Sequence, residues 1–370
     1  MILIEEVIKE AIERDASDIH LMKDVKPILR IARTLTTLEN LQILEDSDLY
    51  EIYDYIIKGN VEKDNIYRKE KKLDTSIVYD GIRLRVNISF SGEVPVFTLR
   101  IVKNEIPKFE DLGIPEVAKN ISKYPQGLIL VTGRINSGKS TTLNAIIDNI
   151  NETENKKIIT LESPIEYKHK SNKSIIVQKE VGPGKDVLNY IEGVKNALRE
   201  DCDILVVGEI RDRETMDAAI DMAESGHLVI GTLHTKSCAE TIDRIINLYD
   251  IRDQAIIKNL LSYLLKLVIS QRLLKSPKAN ELVLISEVMV VDNVVSACIR
   301  KEKFNISDIE DAIQGNSENG SKSLINALAE LYIQDKLNLE QVKSQIDEKN
   351  YETLNRTIMQ MKYAKNDDQN

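Results

Sequence analysis

The amino-acid sequence predicts an α/β fold in two parts: a small α+β domain, then a larger core in which strands alternate with helices. Apolar and polar residues alternate strictly over 82–91, which is typical of a half-buried strand. From residue 127 onward, apolar runs alternate with segments of helical spacing, and this order predicts a largely parallel sheet with helices on both faces. Residues 133–140 match the pattern Gly-x-x-x-x-Gly-Lys-Ser between one such run and one such helix.

Composition limits the class of protein. Hydrophobic residues make up 42% and charged residues 30% of the 370 positions, as in an ordinary globular chain. The net charge of −10 argues against a general nucleic-acid binder, which is usually basic. The three cysteines have spacings that fit no zinc site and no disulfide framework, so free thiols in a reducing cytosol are expected. No basic signal segment begins the chain, and no apolar run approaches the roughly 20 residues of a membrane span. We therefore expect a cytoplasmic protein that reaches a membrane only through a partner.

The N-terminal domain is expected over residues 1–103. Residues 3–14 place their apolar side chains on one helical face, and residues 46–58 also read as a helix. Asp80 and Gly81 give a hairpin signal between two strands. The strands are predicted at 16–21, 27–31, 72–79, 82–91 and 94–102. A linker with three prolines is predicted over 104–126.

The core is expected over residues 127–291, followed by a C-terminal helical region over 292–350 and a tail over 351–370 that is expected to be disordered. Core strands are predicted at 127–132, 157–161, 174–178, 203–207, 227–232 and 284–291. Core helices are predicted at 139–150, 186–200, 213–225, 237–248 and 253–273. The C-terminal helices are predicted at 292–302, 305–314, 321–335 and 338–348.

The pattern at residues 133–140 predicts a phosphate-binding loop. Its backbone N–H groups would cradle phosphates, and the helix that follows adds the positive end of its dipole. Lys139 would reach the β- and γ-phosphates, and the Ser140 hydroxyl would ligate Mg²⁺. The predicted nucleotide-binding residues are Gly133, Arg134, Ile135, Asn136, Ser137, Gly138, Lys139, Ser140 and Thr141.

Acidic residues follow two of the predicted strands. Ligands of an open α/β sheet bind at the carboxyl ends of its strands, so Glu209 is placed to orient and activate an attacking water. Its strand lacks the usual terminal aspartate, so metal contact runs through water or through another acid, either Glu162 or Glu166. The alternatives are an ordinary strand-end carboxylate and a solvated loop.

Two histidines bracket the strand predicted at 227–232. His227 and His234 are seven residues apart, so they face opposite sides of a straight strand and a shared metal is not expected. His234, at the carboxyl end, is placed to sense the γ-phosphate, with His227 at the far end. A structural role is the alternative for each.

These segments together resemble the ATPase family of type II secretion and type IV pilus systems. The motifs that carry the resemblance are the phosphate-binding loop at 133–140; Thr160–Glu166, like the family's Asp box; Val207–Asp212, like its Walker B; Gly226–Thr235, like its His box; and Ala16–Leu21, like its N-terminal signature. It covers roughly residues 1–350. Within the family the chain resembles the retraction ATPases, because it has little sequence before Ala16–Leu21 and lacks a four-cysteine zinc module. Residues 297–302 partly match a further retraction motif.

The resemblance implies a homohexamer of subunits with a PAS-like N-terminal domain and a RecA-like P-loop core. ATP would bind with Mg²⁺ held by Ser140 and Glu162, and Glu209, Glu162, His234 and His227 would serve catalysis. Arg85 and Arg100 match arginines that the family places near the nucleotide, where they would act as arginine fingers. Hydrolysis would turn a membrane-embedded platform protein so that pilin leaves the fibre.

Two positions depart from the family pattern. Ile135 and Asn136 replace Thr and Gly in the loop; Asn tolerates a left-handed backbone, so we expect the loop to form. Ser163 replaces the usual aspartate of the Asp box. These departures keep open a regulatory or scaffold protein that binds ATP and hydrolyses it slowly. The other alternative is an assembly or type II secretion ATPase of the same fold, which the length and the missing zinc cysteines disfavour.

Overall fold

The computed structural model describes residues 3–32, 34–102, 105–182, 184–278 and 281–367. The chain divides into two compact units, residues 1–105 and 106–370. The boundary expected between residues 103 and 104 lies outside the described residues. So do residues 368–370, the end of the predicted tail.

The N-terminal unit is an antiparallel sheet with helices on one face. The strand order is β3-β2-β1-β6-β5-β4. Ile19, Leu29, Val86 and Leu99 are buried on the face that packs with the first two helices, whereas the opposite face carries polar side chains. Its elements are α1 (Leu3–Glu13), β1 (Asp18–Leu21), β2 (Ile28–Ile31), β3 (Thr34–Thr37), α2 (Asp46–Ile57), α3 (Val61–Glu70), β4 (Lys72–Tyr79), β5 (Ile82–Ser91) and β6 (Val94–Val102).

Sequence periodicity did not predict β3 or α3. Strand β3 is an edge strand with largely exposed side chains, so it carries no apolar alternation. Helix α3 is strongly charged and buries Tyr67 but little else, so it has no apolar stripe. Both elements form because neighbouring structure holds them, which a local pattern does not report.

The second unit contains a seven-stranded sheet with helices on both faces, in the order β13-β12-β7-β11-β10-β8-β9. Neighbouring strands are parallel except β12 and β13, which are antiparallel. Its strands are β7 (Gly127–Gly133), β8 (Lys157–Glu162), β9 (Ile175–Glu180), β10 (Ile204–Val207), β11 (Leu228–Leu233), β12 (Leu265–Lys275) and β13 (Leu282–Val290). Its helices are α4 (Lys139–Thr153), α5 (Tyr190–Ala197), α6 (Arg213–Glu224), α7 (Cys238–Ile246), α8 (Ile251–Leu264), α9 (Asn293–Arg300), α10 (Ile306–Gly315), α11 (Leu324–Ile333), α12 (Leu339–Lys343) and α13 (Tyr351–Asp367).

The predicted helix over 253–273 is wrong beyond Leu264. Helix α8 ends there, and β12 runs from Leu265 to Lys275 between β7 and β13. Residues 267–271 are buried on both faces of the strand, so this stretch shows no strict alternation of apolar and polar side chains. A short buried segment without such alternation cannot be distinguished from a buried helix by periodicity alone.

The prediction of a disordered tail from residue 351 is wrong for residues 351–367, which form α13. Leu354 and Ile358 are buried against α11 and β13 in a small apolar cluster of the C-terminal region. The segment predicted as a linker also has structure, because Phe109 and Ile121 are buried beside α4 in two short 3₁₀ helices. In the ranges that the structure covers, no helix is both long and apolar enough to cross a bilayer.

Candidate active site

Four neighbouring strands of the second unit end at one edge of its sheet. Strands β7, β11, β10 and β8 are adjacent and parallel, so their carboxyl ends meet. These ends carry, in that order, Gly133 with the phosphate-binding loop, His234, Glu209 and Glu162. The carboxyl edge of a parallel sheet is where such folds bind ligands.

The loop backbone is shaped by three residues with positive φ. Gly133 has φ 147°, and a Cβ there would lie 2.5 Å from the carbonyl oxygen of Gln271. Gly138 has φ 88°, and a Cβ there would lie 2.7 Å from Leu273 Cδ1. Asn136 has φ 63°, which confirms the expected left-handed conformation at the position where the family has glycine.

Lys139 begins α4, and its side chain folds back over the loop. Its Nζ donates to the carbonyl oxygens of Gly133 at 2.8 Å and Arg134 at 3.0 Å, and lies 3.2 Å from His234 Nδ1. Burial lowers the pKa of Lys139, while the nearby carboxylates of Glu209 and Glu166 act in the opposite direction. The Lys139 ammonium is thus held by two carbonyl oxygens and one imidazole nitrogen, and phosphate oxygens can replace these acceptors.

Glu209 and His234 form a direct pair. His234 Nε2 lies 2.8 Å from Glu209 Oε1, and the carboxylate accepts, so Nε2 carries the proton. Nδ1 then accepts from Lys139, and the imidazole bridges the lysine to the carboxylate. Arg211 donates from Nε to one Glu209 oxygen and from Nη2 to the other, each at 2.6 Å.

The Glu209 carboxylate is kept ionised by these partners. Burial alone would raise its pKa, but the hydrogen bond and charge of Arg211, together with His234, outweigh burial and lower the pKa. An ionised carboxylate at this place accepts a hydrogen bond from water and orients it.

Glu162 occupies a drier position at the end of β8. Its Oε1 accepts from Thr160 Oγ1 at 2.7 Å and from Gln178 Nε2 at 3.1 Å. Burial raises the pKa of Glu162, so a cation beside it would favour the charged form. The Ser140 hydroxyl and the Glu162 carboxylate are hard oxygen donors of the kind that Mg²⁺ takes alongside phosphate oxygens.

His227 is not brought to the other predicted residues. It lies at the amino end of β11, roughly 20 Å along the strand from His234. Its Nδ1 lies 3.0 Å from Ser225 Oγ and 3.2 Å from the Met222 carbonyl oxygen. A catalytic part for His227 stays a prediction without support from these contacts.

Arg85 and Arg100 lie in the N-terminal unit, directly opposite each other on β5 and β6. Arg100 Nε donates to Asp18 Oδ1 at 3.0 Å, and Arg85 lies 3.9 Å from Asp74. Both arginines are on the polar face of that sheet and are about half exposed. Their part as arginine fingers stays a prediction.

Sequence reasoning missed several polar residues around the site. Gln271 was placed in a helix, yet it lies on β12 beside Gly133 and donates from Nε2 to Thr142 Oγ1 at 2.8 Å. Burial, then the charge of Glu209, raises the pKa of Tyr190 to about 12. Arg211 alone had a local signal, since it lies two residues after Glu209 in the Walker B-like segment.

Comparison with known proteins finds relatives in type IV pilus and type II secretion systems. The family model described as "Type II/IV secretion system protein" matches residues 1–293. The type IV pilus retraction ATPase PilT of Pseudomonas aeruginosa is 36% identical over 322 residues, which span 87% of this chain and 91% of that protein. A twitching motility protein of Neisseria gonorrhoeae is 37% identical over 273 residues, or 74% of this chain and 72% of that one.

A solved structure of the pilus retraction motor PilT with bound ADP superposes with a TM-score of 0.83 at 35% identity. The match covers 95% of this chain and 99% of that one, so it includes both the N-terminal α+β unit and the P-loop core. The predicted α/β fold class, with C-terminal helices after the core, is confirmed. The chain belongs to the family of type II/IV secretion system proteins.

Proposed function

We propose that this protein is a Mg²⁺-dependent ATPase that works as a hexameric motor of type IV pilus retraction. The observation that carries the proposal is the chain of contacts from Lys139 through His234 to Glu209 at the mouth of the phosphate-binding loop. It links the group that would hold the γ-phosphate to the group that would orient water. The similarity in sequence and structure to PilT supports the retraction role.

Each residue has a defined part in the proposed reaction, ATP + H₂O → ADP + phosphate. The loop N–H groups and the Lys139 ammonium hold the β- and γ-phosphates, and Lys139 exchanges its loop carbonyl partners for phosphate oxygens. Glu209 accepts a hydrogen bond from the attacking water and aligns it with the γ-phosphorus. His234 donates to Glu209 and so fixes the direction of the carboxylate.

The metal would be held by Ser140 at the start of α4, with Glu162 assisting. When bound, Mg²⁺ neutralises charge on the β- and γ-phosphate oxygens. Thr160 and Gln178 orient the Glu162 carboxylate from the protein side, because both donate to the same oxygen and leave the other free of these two bonds.

The subunit arrangement belongs to the same proposal. Arg85 and Arg100 share the polar face of the N-terminal sheet and would complete the phosphate environment of a neighbouring subunit. In that arrangement six copies act together at the cytoplasmic face of the membrane and turn a platform protein. A family member that assembles pili or secretes proteins would share this chemistry and differ only in its direction of work.

Deleting the gene in its own host tests the direction of work. Loss of a retraction motor leaves cells with an excess of surface pili, and a plasmid copy should restore the normal number. A copy with Lys139→Ala should not restore it, because the phosphate contacts are lost. Cells that become bald after the deletion would show an assembly motor and overturn the retraction proposal.

A further inference from the structure

A line of hydrogen-bonded polar groups joins the start of α4 to the Glu162 carboxylate. It runs from the Ser140 carbonyl oxygen through Asn144, His169 and Gln178. These residues come from three separate segments: α4, the loop after β8, and β9. None of the three middle residues belongs to the phosphate-binding loop or to the strand-end acids.

On the α4 side, the orientation of each group is fixed by its neighbour. Asn144 Nδ2 donates to the Ser140 carbonyl oxygen at 2.8 Å, so Oδ1 is the atom that faces His169. His169 Nε2 lies 2.7 Å from that oxygen and must therefore carry the proton. Asn144 is 2% exposed and the His169 side chain is fully buried, so water does not compete for these bonds.

On the β9 side, the same histidine orients a glutamine through its backbone. The His169 N–H donates to Gln178 Oε1 at 2.9 Å, so the amide nitrogen of Gln178 points away from it. That nitrogen donates to Glu162 Oε1 at 3.1 Å and to the Tyr167 carbonyl oxygen at 2.8 Å. The loop that holds His169 thus fixes the direction of the Glu162 carboxylate.

A histidine that serves only to fill the core explains these contacts less well. His169 Nδ1 is buried without a hydrogen bond among the described residues, with an Asp148 oxygen 3.7 Å away. An unpaired buried polar atom is unfavourable, and a phenylalanine or leucine at this position would avoid it. The bond from Nε2 to Asn144 is the contact that only a polar side chain provides.

We propose that His169 is a positioning residue that sets the first turn of α4 relative to Glu162, and thereby the site that receives Mg²⁺. The inference rests on the proposed function, since it takes Ser140 and Glu162 as the groups that serve the metal. His169 itself touches neither metal nor nucleotide. Its effect passes through Asn144 on one side and through Gln178 on the other.

Two substitutions separate the hydrogen bond from the bulk of the ring. His169→Phe keeps a planar ring but has no donor, so Asn144 Oδ1 loses its partner. His169→Gln places an amide nitrogen near the position of Nε2 and restores a donor. The probe is Mg²⁺ itself, titrated into the ADP complex while the melting temperature is followed.

The Mg²⁺ concentration at the midpoint of stabilisation should rise at least fivefold in His169→Phe. It should return to within about twofold of wild type in His169→Gln. The affinity for ADP in EDTA should stay within about twofold in both variants, because the phosphate-binding loop is untouched. Equal midpoints in the Phe and Gln variants, or no shift in the Phe variant, would overturn the proposal.

Asn144→Leu interrupts the same line from α4 and serves if the Phe variant does not fold. It should raise the midpoint as His169→Phe does, and an unchanged midpoint would again overturn the proposal. Asn247→Leu is the matched control, since this exposed asparagine at the end of α7 also donates to a residue four positions earlier, Asp243, and lies outside the line.

The proposed function can fail separately from this inference. If pilus numbers do not respond to the gene deletion while the midpoints shift as stated, the motor role is wrong and the positioning role stands. A wild-type ADP complex whose melting temperature does not respond to Mg²⁺ would overturn the positioning role, whereas the motor role is decided by the deletion experiment.

Discussion

Strand β11 has a histidine just beyond each end, and the two differ in nearly every contact. His234 at the carboxyl end lies 2.8 Å from a Glu209 oxygen and 3.2 Å from Lys139 Nζ. His227 at the amino end contacts Ser225 and a backbone carbonyl oxygen of its own turn. Residue type is the same at both places, so position relative to the sheet decides the chemistry.

The direction of the strands explains the difference. In the parallel part of this sheet, every strand delivers its next residue to the same edge, where α4 also begins. That edge gathers a helix N-terminus, loop N–H groups and strand-end side chains. The opposite edge receives the turns that return from the helices. There the His227 imidazole contacts its own turn, and only its backbone carbonyl reaches another strand, accepting from the Gly127 N–H at 3.0 Å.

The largest effect at the carboxyl edge is expected from Glu209→Gln. The substitution keeps the shape of the side chain and removes the charge that orients water, so hydrolysis should fall about 100-fold or more. ATP affinity should stay within a few-fold of wild type, because the loop and Lys139 are intact. Calorimetric ATP binding checks the second part. Glu224→Gln, an exposed carboxylate change on α6, is the matched control and should leave both quantities unchanged.

The paired substitutions His234→Ala and His227→Ala test whether the two histidines differ in function. His234→Ala removes the bridge between Lys139 and Glu209, so kcat should fall about 10-fold or more. His227→Ala removes only local hydrogen bonds, so kcat should stay within about threefold and ADP affinity within about twofold. Steady-state phosphate release and ADP binding measure both. Equal losses in the two variants would mean that the amino end of β11 takes part in the reaction.

A smaller effect, on stability, is expected from a substitution at Glu287, which contacts the start of α7. Its Oε2 accepts from the Cys238 N–H at 2.8 Å, at the start of the helix that follows His234. Burial raises the pKa of Glu287 to about 7. Because the folded-state pKa lies above the unfolded value, ionisation of Glu287 reduces stability as the pH rises from about 4.5 through 7.

Glu287→Gln keeps an acceptor for the Cys238 N–H and removes the charge. The variant should therefore gain about 1–3 kcal/mol in the free energy of unfolding at pH 8, relative to wild type, and no comparable gain at pH 5. Urea unfolding at the two pH values checks this. A variant that loses stability at pH 8 would show instead that the Glu287 charge is needed, with the Arg272 charge acting in its favour.

The sequence predicted the carboxyl edge well because its signals are local. The loop at 133–140, Glu209 and His234 each follow an apolar run that had to be a strand, and parallel strands must end together. The left-handed Asn136 followed from a single-residue preference. None of these predictions needed a long-range contact.

The remainder depended on contacts between distant parts of the chain. The position of Gln271 was not predicted, because β12 is largely buried on both faces and was assigned to a helix. Helix α13 was not predicted, because the residues that cover its apolar side chains lie on α11 and β13. The hydrogen bonds of His169 and Gln178 become apparent only when the positions of β8, β9 and α4 are known. A single sequence records the residues and not these distances.

ATP hydrolysis is proposed to take place at the carboxyl edge of the seven-stranded sheet. Phosphate release from purified wild-type protein with ATP and Mg²⁺, measured beside Glu209→Gln in the same assay, tests it most directly. We expect sustained release from the wild type and about one hundredth of that rate or less from the variant. Wild-type release that is no faster than that of Glu209→Gln would contradict it.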